Sequence, residues 1–577
     1  MTRSVPYGEL AKAALALIKA DLNIVNCTLV DILGGTLVPH STVSILKGVV
    51  VGVNDDLEAE RSIDAEGRFL SPGFIDAHVH IESSLLSPSE YARLVVPRGT
   101  TVVIADPHEI ENVLGYDGMT YMLRSSEGLP LDVYLTVPSC VPATGFDTSG
   151  ATFYASDMFP FVRDERVLGL GEMMNFPGLL AGDATLLDKI ALFHDAGKAI
   201  DGHAPGLRGR ELSAYIAAGI STDHEATSAE EAREKVSKGM MVMIREGSAA
   251  RDLDALAAAI TPRNARRFLL CSDDRHANDL LADGHIDRSL RMLVQRGVDP
   301  LDALGMASIN AARHYGLRSS GAIAPGYKAD FVLLDSLESF AVSSVYKAGT
   351  LVAQNGEMVV PLNTQRIALR DSVNIKWLEE PDFRIKQEGK RIRVIAVQEG
   401  SIVTGEKIME PLVDSEGYCQ SDVSRDLLKI FVIERHRGSS SIGKGFITGL
   451  GLKRGAIGST ISHDSHNMIV VGVDDDSIFK AARHLNKIGG GLVATMGDEL
   501  ISDLALPIAG LMSDKSAAEV VEALEAFSRH FTTEGLTNSE PLMTLSFMAL
   551  PVIPKLKITD QGLVDVEAFK NVELFLD

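Results

Sequence analysis

The sequence has 577 residues, a hydrophobic fraction of 45% and a formal net charge of −23. A chain of this length exceeds one hydrophobic core, so we expect two to four domains. The negative charge disfavours nucleic acid and anionic membrane surfaces as partners, because both would repel the chain. No run of 18 or more apolar residues and no signal-peptide pattern is present, so no membrane span is expected. The four cysteines have no paired spacing and suit the reducing cytoplasm.

Short apolar stretches broken by turn residues occupy residues 22–68 and return after residue 320. Such alternation is typical of short strands in a small β layer. We therefore predict one small β-sandwich formed from both ends of the first part of the chain, residues 1–68 with 320–365. Something larger is inserted between its two halves.

The insert, residues 69–319, alternates strand-like and helical segments. Ser228 and Glu231 form a capping box that predicts a helix ending near Gly239. Eight β-α units of this kind, in a segment of about 250 residues, predict a closed (β/α)8 barrel with its active site at the C-terminal strand ends. The eight strand-like runs are 73–78, 101–105, 133–137, 167–171, 199–202, 220–223, 240–244 and 268–272.

Residues 366–577 predict an additional C-terminal α+β domain. The run 391–397 is rich in β-branched residues. Ser516 and Glu519 form a second capping box that predicts a helix start. The function of this domain is not evident from its residues. Its most unusual feature is a pair of histidines, His463 and His466, which suits a metal site, a cover over the barrel mouth or a plain polar turn.

Two histidines end the first predicted barrel strand. His78 and His80 are two residues apart, so both imidazoles lie on one side of an extended strand. Imidazole is the commonest metal ligand in proteins. One strand end therefore predicts two ligands of a catalytic metal.

Later strands also end in residues that can bind a metal. A barrel brings its strand ends together around one mouth, so these distant residues are expected to meet. Four histidines and two carboxylates suit two divalent ions, which share a bridging carboxylate and lie about 3.5–4 Å apart. Glu172, at the end of the fourth strand, is the natural bridge. The further strand-end candidates are Asp106, His203, His224 and Asp273.

Each candidate also has a plain structural interpretation. A strand-end histidine often serves only as a hydrogen-bonded polar residue. His108 is compatible with a supporting role behind the ligands. Glu82 is compatible with capping the helical turn that follows it, or with contacting the substrate. Cys271 is expected in the core.

Longer motifs carry a family resemblance. The run 72–80 and the later single histidines resemble the amidohydrolase superfamily, whose members have a barrel flanked by a β-sandwich. The runs 80–84, 105–109, 171–175, 271–274 and 462–467 resemble the adenine deaminase family more closely. The resemblance covers nearly the whole chain.

The resemblance implies a ligand set. His78, His80 and Asp273 would hold the first metal, His203 and His224 the second, and Glu172 would bridge them. No lysine stands at the fourth strand end, which counts against cyclic-amide hydrolases with a carboxylated lysine. Iron(II) or manganese(II) is expected, and this donor set does not exclude zinc.

The resemblance also implies hydrolysis of adenine to hypoxanthine and ammonia. Asp273 would carry the proton from the attacking water to the leaving amino group. Glu82, Asp106 and His108 are the candidates that protonate the purine ring, and the sequence does not choose among them. A homodimer or larger homo-oligomer is expected. Two alternatives stay open: an amidohydrolase acting on another aminopurine or a cyclic amide, and a non-enzymatic barrel scaffold.

Overall fold

The computed structural model describes residues 6–362, 369, 371–376, 378–398, 401–497, 499–534, 536 and 541–577. Among these residues, strands from both sides of the barrel join in one nine-stranded sheet. The junction is a short strand before the barrel, where Pro72 pairs with Phe331 from the far side. The strands of this sheet are Ala20–Asp31, Thr36–Leu46, Val49–Val53, Ala59–Asp64, Phe69–Pro72, Phe331–Leu334, Val342–Lys347, Thr350–Gln354 and Glu357–Met358. The segments that precede and follow the barrel therefore meet in one sheet, as predicted.

All eight predicted barrel strands are present. The first five pair in one parallel sheet and the last three in another. The first strand is buried at all seven positions, because helices cover one face and the barrel interior the other. The chain after the eighth strand returns to the first, where Asp273 pairs with Val79 and Asp274 with His80. The barrel strands are Phe74–His80, Thr100–Ala105, Asp132–Val137, Val167–Met173, Ala199–Gly202, Thr222–Asp223, Met241–Arg245 and Phe268–Cys271.

The helices lie between the strands as expected for this fold. The Ser228 hydroxyl accepts from the Glu231 N–H at 3.3 Å and begins the helix Ala229–Ser237. The Glu231 carboxylate does not complete the capping box, because it binds Lys235 and the Gly206 N–H instead. The α-helices of this part are Tyr7–Ala14, Pro88–Val95, His108–Leu114, Tyr116–Ser125, Ala155–Val162, Phe176–Leu180, Ala184–Asp195, Gly209–Ala217, Ala229–Ser237, Leu253–Leu256, Ala277–Asp283, Ile286–Gln295, Pro300–Met306 and Ile309–His314.

The C-terminal region is built on a second nine-stranded sheet. Its strands are Arg391–Val397, Thr404–Met409, Leu428–Ile433, Ile442–Thr448, Ala456–Ser459, Met468–Gly472, Gly491–Met496, Glu499–Ala505 and Phe575–Leu576. Two three-stranded sheets consist of Ile385–Lys386, Leu412–Val413 and Tyr418–Gln420, and of Leu556–Thr559, Gly562–Asp565 and Lys570–Val572. The α-helices are Asp475–Ile488, Ala517–Glu534 and Pro541–Ser546. Both halves of the predicted Ser516–Glu519 capping box are formed.

The C-terminal region packs directly on the barrel. One hydrophobic cluster runs from Val103 and Leu135 in the barrel to Ile430 and Phe547 in the C-terminal region. Across this contact, the Ala517 N–H donates to Glu90 at 3.0 Å. The two parts therefore share a core.

The predicted fold class is confirmed: a (β/α)8 barrel with a flanking β layer and a C-terminal α+β region. The boundaries at residues 69, 320 and 366 stay predictions. Among the described residues, no helix combines the length and the apolar character that a bilayer span requires.

Candidate active site

The first barrel strand presents its two histidines to the mouth. Both are almost fully buried, and their Nε2 atoms lie 3.1 Å apart. The Nδ1 of His80 lies 2.8 Å from the Asp106 carbonyl oxygen, which can only accept, so this nitrogen carries the proton. In this tautomer the neutral ring has its lone pair on Nε2, the atom that would bind a metal. Two imidazoles that converge in this way are suited to one ion.

Glu172 ends the fourth strand with its two oxygens turned in different directions. Its Oε1 lies 3.3 Å from His80 Nε2. Its Oε2 lies 2.7 Å from His203 Nδ1 and 3.1 Å from His224 Nε2. Burial opposes ionisation of this carboxyl, but the two histidines hold its pKa well below the usual range. An ionised carboxylate with one oxygen toward each histidine group has the geometry of a bridge between two cations.

Asp106 supports Glu172 from behind. Its Oδ2 accepts from the Glu172 backbone N–H at 2.9 Å. A Cβ atom at Gly171 would lie 2.2 Å from that oxygen, so glycine is required for this close approach. Asp106 therefore fixes the end of the fourth strand.

Asp273 stands beside the first histidine pair. Its Oδ1 lies 3.1 Å from His80 Nε2 and 3.5 Å from His78 Nε2. Its Oδ2 accepts from Arg245 at 3.0 Å. The backbone adopts a left-handed φ of 56°, which aspartate tolerates better than most residues. One oxygen thus faces the histidines while the arginine holds the other.

The six predicted ligands fit two divalent ions. Groups of these ligands with donor atoms within 4.8 Å of one another include His78 with His224 and Asp273, His78 with His80 and Glu172, and Glu172 with His203 and His224. Neutral imidazoles and ionised carboxylates are donors that iron, manganese and zinc accept.

A cavity opens above these groups. The barrel supplies its floor, and the C-terminal region supplies a largely apolar roof. An apolar lining with a few convergent polar groups is typical of sites for small molecules. The roof residues are Ile402, His463, Asp464, Phe547, Leu550, Val552 and Ile553.

The three candidates for ring protonation differ in position. His108 lines the cavity, and its Nδ1 lies 3.4 Å from Glu172 Oε1. Burial lowers the pKa of His108 to about 3, so its imidazole is neutral. Glu82 is buried beside the Ile110 N–H, from which it accepts at 3.4 Å, and burial raises its pKa to about 7. Neither Glu82 nor Asp106 is among the residues that line the cavity.

Arg245 and Glu225 line the cavity, and the sequence analysis gave neither of them a role. Arg245 ends the seventh strand, and strand-end position alone would have identified it. It contacts Glu225 and Asp273. Glu225 follows His224 directly and lies 3.7 Å from His203 Nδ1. This pair ties the fifth, sixth and eighth strand ends together.

The histidine pair of the C-terminal region closes on the barrel. His463 Nδ1 lies 2.9 Å from Glu109 Oε1, and His466 Nε2 contacts the other oxygen of Glu109. His466 Nδ1 accepts from the Ser462 N–H at 3.1 Å. The donor atoms of Glu109, His463 and His466 lie within 4.8 Å of one another, so this group is a candidate metal site as well as a contact between the C-terminal region and the barrel.

A (β/α)8 barrel with these donors at its strand ends defines a metal-dependent hydrolase of the amidohydrolase class. Residues 69–352 match the amidohydrolase family, and residues 401–570 match the adenine deaminase C-terminal domain. The chain is 49% identical to the adenine deaminase of Nitratidesulfovibrio vulgaris strain DP4 over 573 residues, 99% of each chain. It is 46% identical to the adenine deaminase of Kosmotoga olearia, with 96% of this chain and 97% of that one covered. It is also 46% identical to that of Methanothrix thermoacetophila, with 99% of each covered. The chain belongs to the adenine deaminase family.

Proposed function

We propose that the protein hydrolyses adenine to hypoxanthine and ammonia. Relatives with this name match nearly the whole chain, and the C-terminal region matches the domain named for this activity. The observation that carries the chemistry is the geometry of Glu172, whose two oxygens face separate histidine groups at the floor of a covered cavity.

We assign His78, His80 and Asp273 to the first ion, His203 and His224 to the second, and Glu172 to both. Divalent ions held by these residues would supply a nucleophile at neutral pH, because metal coordination lowers the pKa of water from 15.7 to about 7. Glu172 Oε2 faces His203 and His224, at 2.7 Å and 3.1 Å, while its Oε1 faces His80 at 3.3 Å. The Asp106 carbonyl holds the His80 ring in the tautomer that leaves Nε2 free.

Asp273 is the proton carrier in this proposal. Its Oδ1 lies at the first histidine pair, where water attacks C6 of the purine. It accepts the proton of the attacking water and delivers it to the departing amino group, so the C–N bond breaks as ammonia leaves. Arg245 holds Oδ2 and keeps the carboxylate turned toward the histidines.

In this proposal, His108 is the residue that contacts the purine ring. It lines the cavity beside Glu172, whereas Glu82 and Asp106 lie outside the lining. Its neutral imidazole can donate a hydrogen bond to a ring nitrogen that gains electron density as the tetrahedral centre forms. Glu82 and Asp106 then act through neighbours: Glu82 accepts from the Ile110 N–H and Asp106 from the Glu172 N–H.

We further propose iron(II) or manganese(II) as the native metal, a cytoplasmic location and a homo-oligomer, with a dimer as the simplest form. The mixed imidazole and carboxylate donors support these metals without excluding zinc. Four buried free cysteines suit a reducing compartment. Elemental analysis of protein purified without added metal and sedimentation of the same sample test the first and last of these proposals.

The activity is tested by ammonia release from adenine. Protein loaded separately with iron(II), manganese(II) or zinc is expected to release one ammonia per hypoxanthine formed with at least one of these metals. Glu172→Gln is the matched control, because one neutral amide cannot replace a carboxylate shared by two cations; its activity should fall at least about 10²-fold. Wild-type protein that contains metal but leaves adenine unchanged would refute the proposal, and parallel assays with guanine, adenosine and hydantoin would then identify the substrate class.

A further inference from the structure

Five of the seven roof residues are apolar, and the two polar ones, His463 and Asp464, are adjacent in the chain. His463 Nδ1 is already engaged by Glu109, and the His463 ring stacks on Phe547 with a centroid distance of 4.6 Å. Asp464 is 4% exposed and lines the cavity. Among the described residues, its Oδ2 has no hydrogen-bond partner. A buried acid oxygen without a partner is costly unless a ligand satisfies it.

Asp464 lies beyond His108 as seen from the proposed metal ligands. One edge of the His108 ring is 3.4 Å from Glu172 Oε1, while its opposite nitrogen is 4.0 Å from Asp464 Oδ1. Asp464 is thus separated from Glu172 by the width of one imidazole ring. A purine with its six-membered ring over the floor would direct its five-membered ring toward this acid.

The segment that carries Asp464 is held firmly. The His463 N–H donates to the Ser546 carbonyl at 2.9 Å, and His436 Nε2 lies 2.7 Å from the Ser465 carbonyl. Asn467 donates to the Thr148 carbonyl of a barrel loop at 2.9 Å. Asp464 is therefore presented by a fixed backbone, as a specificity residue requires.

The imidazole ring of the free base carries an N–H, which is at N9 in the predominant form of adenine. A nucleoside has a sugar at that nitrogen and no hydrogen to donate. A buried polar acceptor that requires this N–H would therefore distinguish the free base from the nucleoside.

We propose that Asp464 accepts a hydrogen bond from the N9–H of the purine and so selects the free base over N9-substituted purines. This inference rests on the proposed deamination of adenine and adds the residue that sets its specificity. The C-terminal region then contributes directly to substrate binding. Sites that hydrogen-bond a substrate N–H reject analogues without it strongly, because the buried acceptor is left unpaired.

The test compares adenine with 9-methyladenine, which has the same reacting carbon and amino group but no N9–H. Assays at pH 8 keep Asp464 ionised, because burial raises its pKa to about 7. For Asp464→Ala we expect kcat/KM on adenine to fall about 10- to 100-fold, mainly through KM, while 9-methyladenine changes less than about threefold. Asp464→Asn keeps an acceptor oxygen, so its kcat/KM on adenine should fall less than that of Asp464→Ala. If turnover of 9-methyladenine is too slow, its inhibition constant against adenine gives the same comparison.

The matched control is Asp560→Asn. Asp560 also joins the C-terminal region to the barrel, where it accepts from the Thr148 N–H at 2.9 Å and from its hydroxyl at 2.7 Å. This variant should affect both purines equally and leave their ratio unchanged. An Asp464→Ala protein with normal metal content that loses both substrates in parallel, or neither, would overturn the inference. A wild-type protein inactive on adenine would instead refute the proposed function, and this inference with it.

Discussion

At the scale of single residues, the site depends on side chains that are each held from two sides. Asp273 turns one oxygen to the histidine pair and gives the other to Arg245. Glu172 divides its oxygens between two histidine groups while Asp106 binds its backbone N–H. Such double contacts fix the rotamers of both carboxylates.

Asp273→Asn separates the two roles proposed for Asp273. The amide oxygen can still bind a cation, but the amide cannot accept and return a proton. We expect metal content within about twofold of wild type and a kcat lower by about 10²- to 10⁴-fold. Elemental analysis and ammonia release on the same preparation measure both. Loss of metal and turnover in equal proportion would mean that Asp273 is a ligand only.

At the scale of elements, one buried lysine joins two segments of the cavity roof. Lys557 lies in the strand Leu556–Thr559, and its Nζ donates to the Ile402 carbonyl at 2.8 Å and to the Phe547 carbonyl at 3.0 Å. Both carbonyls belong to residues of the cavity roof. Burial lowers the pKa of Lys557 to about 7. The lysine therefore links two roof segments, but its charge is costly to bury.

This pKa gives folding a pH dependence with a definite sign. Between pH 7 and about 10.5, the unfolded chain binds one more proton at Lys557 than the folded chain, so raising the pH stabilises the fold. The slope is at most roughly 1.4 kcal/mol per pH unit. We expect the thermal midpoint of wild type to rise relative to that of Lys557→Met as the pH is raised from 7.5 to 9.5. Lys429→Met is the control, because Lys429 is equally buried but pairs with Asp475. If the difference in thermal midpoint between wild type and Lys557→Met does not change with pH, the lowered pKa of Lys557 is contradicted.

At the scale of the whole molecule, barrel and C-terminal region form one structure. The helix Ala517–Glu534 packs against the barrel helices Pro88–Val95 and Ala277–Asp283. The Ser513 N–H also donates to the Leu85 carbonyl at 2.8 Å. Because the hydrophobic cluster is shared, separating the two parts would expose a large apolar surface to water.

Deletion of residues 366–577 tests this view. We expect a largely insoluble product, because the apolar side of the barrel mouth loses its cover. Any soluble fraction should lack deaminase activity, since the roof and its acid are gone. Soluble yield, sedimentation and ammonia release, each compared with the full-length protein, provide the measurement. A monodisperse barrel with wild-type turnover would show that the C-terminal region is dispensable.

The sequence determined the elements and the candidate donors. Apolar runs with turn residues between them are local signals, and all eight barrel strands lie where those runs predict. The strand-end rule then identified His78, His80, Glu172, His203 and Asp273, because parallel strands bring their ends to one mouth. The flanking β layer could be predicted as well, since short apolar stretches broken by turn residues occur both before and after the barrel.

The tertiary structure alone decided which atoms face one another. The division of the Glu172 oxygens, the contact of Arg245 with Asp273, and the clamp of His463 and His466 on Glu109 join residues that are distant in sequence. The roof over the cavity is likewise formed by residues that are distant in sequence from the barrel strands. Periodicity encodes which face of a strand or helix is buried, but it carries no information about which distant side chain will lie opposite. That choice follows from packing the whole chain around one shared core.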